Sequence, residues 1–323
     1  MLRERPIRTM DDRRLRQVST VKRAKATLRR ALLKIYRWSF PIFQRLGFHV
    51  IPNHYTQPVP DTRTLNPRLW SRESTIVGVD LQEQGQLQLL NTFHAAYARE
   101  YARLADTSPP QPYAYVQPNG LFDAVDAEVL YCMVRHFKPR RILEIGGGFS
   151  TLVAATAVRA NARDGCTTTL LSVEPHPLPI LSSGVPGLTE IIQKNVQDID
   201  PALFAELGNQ DILFIDSTHI VQIGSDVQFL FLEVIPRLPP GAIVHVHDIF
   251  LPAEYPREWV LEDYYFWNEQ YLLQAFLAFN DTFRVLWAGG FMHLRHPDLL
   301  STTFASYRKG VSRPGSFWFQ RVA

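Results

Sequence analysis

Cysteine is almost absent: Cys132 and Cys166 are the only two in 323 residues. Neither has a neighbour at metal-ligand or redox spacing, and two cysteines make no disulfide framework, so a reducing cytoplasm is the expected compartment. No apolar run approaches the length that spans a bilayer, and the basic start is not followed by the apolar core and cleavage site of a secretory signal. There is no internal repeat, no long low-complexity tract and no RNA-binding motif, which argues against nucleic acid as a partner. What remains is a chain with 46% apolar and 20% charged residues, enough for a sizeable core.

The net charge of +3 hides an imbalance. Residues 1–50 carry fourteen Lys/Arg against three Asp/Glu, which is +11 and leaves −8 for the rest. The sequence therefore divides into a basic arm, 1–60, a helical extension, 61–110, and a main domain, 111–323. Leu28, Leu32 and Ile35 share one helical face, with Arg29, Arg30, Lys34 and Arg37 mostly around the other. Such an arm suits an anionic membrane surface or an acidic partner; a solvated leader is the plainer alternative.

Residues 80–106 have the apolar spacing of a helix, and Ser108-Pro109-Pro110-Gln111-Pro112 breaks the chain. Beyond residue 120, helical stretches alternate with short apolar runs. These are Arg141–Ile145, Thr169–Val173, a weaker one at Thr189–Gln193, Asp211–Ile215 and Ala242–Val246. Alternation of this kind predicts βαβ crossovers and a parallel sheet with a Rossmann-like architecture, its functional groups gathered at the carboxyl ends of the strands. Glu144, Glu174, Asp216 and Asp248 fall at or near such ends. After a helix expected around Tyr264–Phe279, Phe283–Trp287 and Phe291–Arg295 flank Ala288-Gly289-Gly290, which reads as a closing antiparallel hairpin.

The first apolar run leads into Gly146-Gly147-Gly148-Phe149-Ser150 and then a helix. Glycines there let the backbone approach a ligand, and the helix N-terminus offers free N–H groups. A pyrophosphate would be repelled by Glu144, two residues before the first glycine, whereas an ammonium or sulfonium would not. The dinucleotide fingerprint also wants a glycine where Thr151 stands. Glu174, ending the second run, suits the two hydroxyls of a ribose. The expected cofactor site is thus Glu144, Gly146, Gly148, Phe149, Ser150 and Glu174, and S-adenosylmethionine (SAM) is favoured over NAD.

The stretches Arg141–Thr151, Ser172–Pro175, Asp211–His219 and His245–Pro252 together resemble the class I SAM-dependent methyltransferases, in particular a bacterial small-molecule branch similar to metal-dependent O-methyltransferases. The resemblance implies a mostly parallel sheet closed by an antiparallel pair. It further implies SAM as cofactor, and methyl transfer to a hydroxyl of a small-molecule acceptor such as a sugar or natural product. In that family an acid after strand four and an acid pair after strand five hold a divalent cation, and a Lys or His three residues past the first acid is the base. The matching positions are Asp216 with His247 and Asp248 for the metal, and His219 with Asp216 for catalysis. His247 departs from the oxygen ligands that Mg²⁺ prefers and would better suit Mn²⁺, Fe²⁺ or Zn²⁺; a metal-free site with His219 as base is the alternative. Two rivals stay open: a NAD-dependent dehydrogenase or epimerase, and a non-catalytic partner protein with this fold.

Overall fold

The computed structural model describes residues 27, 32–105 and 113–323. Leu28, Arg29 and Arg30, and the proline-rich stretch at 108–112, lie outside the described residues. The chain forms two compact units, Met1–Leu65 and Asn66–Ala323. In the first, residues 32–45 are helical, and Asp61 accepts two hydrogen bonds from the Arg63 guanidinium at 2.8 and 2.7 Å.

The second unit is built on seven strands: β1 (Arg141–Ile145), β2 (Thr169–Val173), β3 (Glu190–Ile192), β4 (Ile212–Ile215), β5 (Ile243–Val246), β6 (Phe283–Ala288) and β7 (Phe317–Arg321). They lie in the order β3-β2-β1-β4-β5-β7-β6. The first five are parallel, while β7 runs antiparallel to both β5 and β6. All residues of β4 and β5 are buried, because a parallel sheet is covered on both faces and its strands read as unbroken apolar runs. The Rossmann-like class I methyltransferase sheet expected from the sequence is present, mostly parallel with an antiparallel end.

One detail differs. The antiparallel partner of β6 is β7, some thirty residues onward, and Gly289–Arg295 is a helix, not the second arm of a hairpin. The glycine pair serves close packing: a β-carbon on Gly290 would lie 2.7 Å from the Phe250 carbonyl oxygen. The preceding aromatic helix is also shorter than its pattern suggests. It spans Glu269–Leu277, and Tyr264 has a φ of +59° that no α-helix accommodates.

Three longer helices belong to this unit: α1 (Glu83–Tyr101), α2 (Asp126–Phe137) and α3 (Phe149–Arg163). An ionic knot around the buried Arg135, with partly exposed acids, joins them. Arg135 of α2 meets Glu100 of α1 at 2.7 Å and Asp164, just past α3, at 2.9 Å, and the Tyr131 hydroxyl donates to Glu100 at 2.7 Å. Removing one partner of such a knot leaves a buried charge uncompensated. The backbone N–H of Ala288 in turn donates to Gln86 of α1 at 2.8 Å, so α1 belongs to the same compact unit as the sheet.

Candidate active site

The glycine loop turns immediately after β1. Gly146 adopts φ +90°, and a β-carbon there would sit 1.7 Å from the Asp216 carbonyl oxygen, so only glycine fits. At Gly147 a β-carbon would meet Ser172 Oγ at 2.4 Å, whereas the space beside Gly148 is open for 4 Å. The loop is tight on its sheet side and open at the entry to α3.

Beneath it lies Glu144, with 1% of its surface exposed. Its carboxylate accepts from Ser150 Oγ at 2.8 Å and Thr151 Oγ1 at 2.6 Å. Thr151 Oγ1 also accepts from the Gly148 N–H at 3.0 Å. The residue that breaks the dinucleotide fingerprint thus ties the loop to the strand. Burial raises the Glu144 pKa to about 7, against the opposing pull of the Thr151 and Ser150 hydroxyls. Glu174 follows β2, partly exposed, and accepts from the His176 N–H at 2.7 Å.

At the ends of β4 and β5 the structure gathers a polar cluster. His219 Nε2 lies 3.4 Å from both Asp216 Oδ1 and Asp248 Oδ2. Asp216, His219 and Asp248 each offer one ligand atom, all within 4.8 Å of one another. On the other side of the ring, His219 Nδ1 pairs with Glu269 Oε2 at 2.9 Å. Glu269 begins the helix Glu269–Leu277, which we call α4, and is fully buried. A carboxylate behind an imidazole fixes its tautomer and orientation, whether the imidazole serves as a base or as a metal ligand. Burial alone would lower the His219 pKa, but Asp216 and Glu269 outweigh it and raise it to about 10.

His247 lies against the same carboxylates, with Nδ1 3.5 Å from Asp216 and 3.6 Å from Asp248, and its Nε2 faces Asp126 at 3.4 Å. It is adjacent to the triad but outside the set whose ligand atoms converge most closely. Asp126 is itself anchored by the backbone N–H groups of Gly315 and Ser316 at 2.9 and 3.0 Å. His245 is a core residue: fully buried, stacked on Phe214 at 3.9 Å, with Nε2 3.2 Å from Ser316 Oγ. Burial holds it far below the usual imidazole range.

Strain marks the same place. Val125, His219 and Asp248 have φ of +75°, +61° and +56°. Positive φ in non-glycine residues is uncommon, and such residues persist where the surroundings over-determine them, often at functional sites. Glu269 and Asp126 are the two members that sequence reasoning missed. Neither ends a strand nor belongs to a motif, and only the helix starts that carry them place them here.

The donor set fits a divalent cation. Two carboxylates and an imidazole converge, a mixture more typical of Mn²⁺ or Fe²⁺ than of Mg²⁺, which prefers oxygen alone.

Comparison with known proteins agrees with this architecture. Residues 143–249 match a family model described as a methyltransferase domain. An uncharacterized protein of Archaeoglobus fulgidus is 28% identical over 167 residues, covering 48% of this chain and 72% of the relative. Among solved structures, the O-methyltransferase TomG from Streptomyces achromogenes, involved in tomaymycin synthesis and solved with SAM, is 17% identical. That match has a TM-score of 0.36 over 73% of this chain and 90% of TomG. An O-methyltransferase from Bacillus cereus is 14% identical with a TM-score of 0.35, over 74% and 91% of the two chains. The family model marks a methyltransferase domain in residues 143–249, and the strand order with its antiparallel end is the arrangement expected of the class I methyltransferase fold.

Proposed function

We propose that this chain transfers the methyl group of SAM to a hydroxyl oxygen of a small molecule. The observation that carries the reading is the convergence of Asp216, His219 and Asp248 beside a glycine loop that is open only at Gly148. The loop and the N-terminus of α3 hold the cofactor, and Glu174 accepts from its ribose hydroxyls. Glu144 shapes the loop through Ser150 and Thr151 and places a carboxylate below the cofactor's ammonium.

In the transfer the methyl–sulfur bond breaks, sulfur keeps the electron pair and becomes a neutral thioether, and a carbon–oxygen bond forms. The acceptor's proton must go to a base, for which His219, oriented by Glu269, is in place. In the free protein Asp216 and Glu269 raise the His219 pKa to about 10 against the opposing effect of burial. Asp216 and Asp248, with His247 beside them, would hold a divalent cation and leave His219 Nε2 for the proton; the cation would supply Lewis acidity at the acceptor oxygen.

Calorimetry on the full chain with SAM and with NAD tests the reading. SAM should bind and NAD should not, and Glu174→Ala should weaken SAM by about 1.5–3 kcal/mol for one lost charge-assisted hydrogen bond. Tight NAD binding without SAM binding would overturn it in favour of a dehydrogenase or epimerase.

We also propose that the basic arm touches an anionic membrane surface. Within residues 32–45, Lys34, Arg37 and Arg45 share one arc of the helix with Pro41, and Leu32, Ile35, Ile42 and Phe43 occupy the opposite one. Trp38 is 74% exposed. Basic residues on one side, with Trp38 at their edge, and aliphatic residues with Phe43 on the other suit a helix lying in a lipid interface. No helix of the described residues is long and apolar enough to cross a membrane.

A further inference from the structure

A cavity of about 660 Å³ opens beside the triad. Its buried members include Asp126, His247 and Gln117; its exposed ones include Arg308 and Arg313, with Trp259 between. Asp248, which also lines it, is the residue 3.4 Å from His219 Nε2. The size lies within the range of small-molecule sites. We propose that this cavity takes the methyl acceptor, and that the acceptor is a ring-bearing hydroxyl compound carrying an anionic group, carboxylate or phosphate, met by Arg308. The proposal rests on the methyl-transfer reading above.

Charge sets the orientation. Asp123, Asp126 and Asp248 all line the cavity, Asp248 beside the triad, so an anionic group is favoured only against the arginines. The two arginines lie among the exposed members, and they are not equivalent. Arg313 is paired with Glu258 at 3.0 Å. Arg308 has no carboxylate partner among the described residues and donates from one nitrogen only, to the carbonyls of Ala305 at 2.6 Å and Tyr307 at 3.3 Å. An arginine carries five N–H donors in a fork that matches a carboxylate or phosphate, so most of that fork is free for a ligand.

Gln117 is a second, independent pointer. It is 6% exposed, and neither its amide oxygen nor its amide nitrogen has a hydrogen-bond partner among the described residues. Buried amides left unpaired are costly and rare, and this one belongs to a residue that lines the cavity. Trp259 provides an aromatic surface for the ring. It packs edge-on against Trp267 at 5.2 Å, and Trp267 lies 4.4 Å from the His219 ring, so one aromatic wall joins cavity and triad.

The test is calorimetry on the full chain saturated with S-adenosylhomocysteine, using 3,4-dihydroxybenzoate, its neutral amide 3,4-dihydroxybenzamide, and phenyl phosphate as probes. The acid should bind at least about tenfold more tightly than the amide, the scale of one charge-assisted contact. Arg308→Gln should cancel that difference while leaving S-adenosylhomocysteine affinity unchanged, and Gln117→Leu should weaken acid and amide alike. Tighter binding of phenyl phosphate than of the acid would identify the anion as phosphate; the reverse order would identify it as carboxylate. Equal affinity for acid and amide, no binding of any probe, or a preference that survives Arg308→Gln would overturn the proposal. So would loss of S-adenosylhomocysteine binding in that variant, which would put Arg308 in the cofactor site. Failure of the unaltered chain to bind S-adenosylhomocysteine would instead overturn the methyl-transfer reading.

Discussion

Gly146 and Asp216 are in backbone contact so close that a β-carbon on Gly146 would lie 1.7 Å from the Asp216 carbonyl oxygen. The glycine loop and the end of β4 therefore hold one another in place. Two neighbouring glycines should consequently behave very differently. Gly146→Ala should destabilise the fold severely, by more than about 3 kcal/mol, since clash and positive φ act together. Gly148→Ala, with open space beside it and an extended φ of −162°, should change stability by less than about 1 kcal/mol yet weaken SAM binding. Thermal unfolding and SAM calorimetry on both variants check this; similar melting behaviour would refute it.

Glu269 acts on the chemistry through His219 and is a positioning residue. Glu269→Gln keeps the shape but removes the charge that steers the ring, so turnover should fall about 10–100-fold, the usual effect of losing an orienting partner. SAM affinity should stay the same, because Glu269 contacts the imidazole alone among the groups of the triad. The pH dependence of turnover should also move to lower pH, since Glu269 is one of the two main groups that raise the His219 pKa. An unchanged pH profile would leave Glu269 a merely structural role.

The glycine loop and the acids after β2 and β4 were legible in the sequence because they sit next to apolar runs whose ends define the functional edge of a parallel sheet. Glu269 was not. It lies fifty residues from His219, and only the start of α4 brings the two together. Asp126 was hidden for the same reason, at the start of α2, where its role depends on backbone N–H groups from Gly315 and Ser316. The sequence points to an antiparallel end of the sheet with Phe291–Arg295 as its second strand, whereas β7 takes that place and Gly289–Arg295 is helical. Gly289-Gly290 has the composition of a turn, and only the approach of Phe250 shows that the pair is there for packing.

If the arm binds anionic lipid, full-length protein should sediment with acidic liposomes at low salt and be released as salt rises, because attraction to the surface is screened within a Debye length. A chain beginning at Gly47 should stay in solution. Equal sedimentation of the two would assign the arm no membrane role. Trp38→Ala in the full chain separates the apolar contribution from the charge, and should weaken binding most at high salt, where the basic residues contribute least.

The last prediction concerns Glu128, one turn into α2 and 2% exposed. It accepts from the Val125 N–H at 3.0 Å and from the Ser306 hydroxyl. Burial raises its pKa to about 7, only partly offset by Ser306 and the backbone donors. A carboxyl with a folded pKa above its unfolded value of about 4.5 binds its proton more tightly in the folded state. The stability this provides is complete below about pH 4.5 and is lost as pH rises to about 7. At about 1.4 kcal/mol per unit of difference, the loss is on the order of 3 kcal/mol. Glu128→Gln imitates the protonated form at every pH. The variant should match the unaltered protein at pH 5, within about 1 kcal/mol, and exceed it by roughly 2–3 kcal/mol at pH 8. Urea unfolding of the two proteins at both pH values measures the difference directly. A gap of the same size at pH 5 and pH 8 would show that Glu128 is ionised in the folded protein throughout, and that its hydrogen bonds compensate fully for burial.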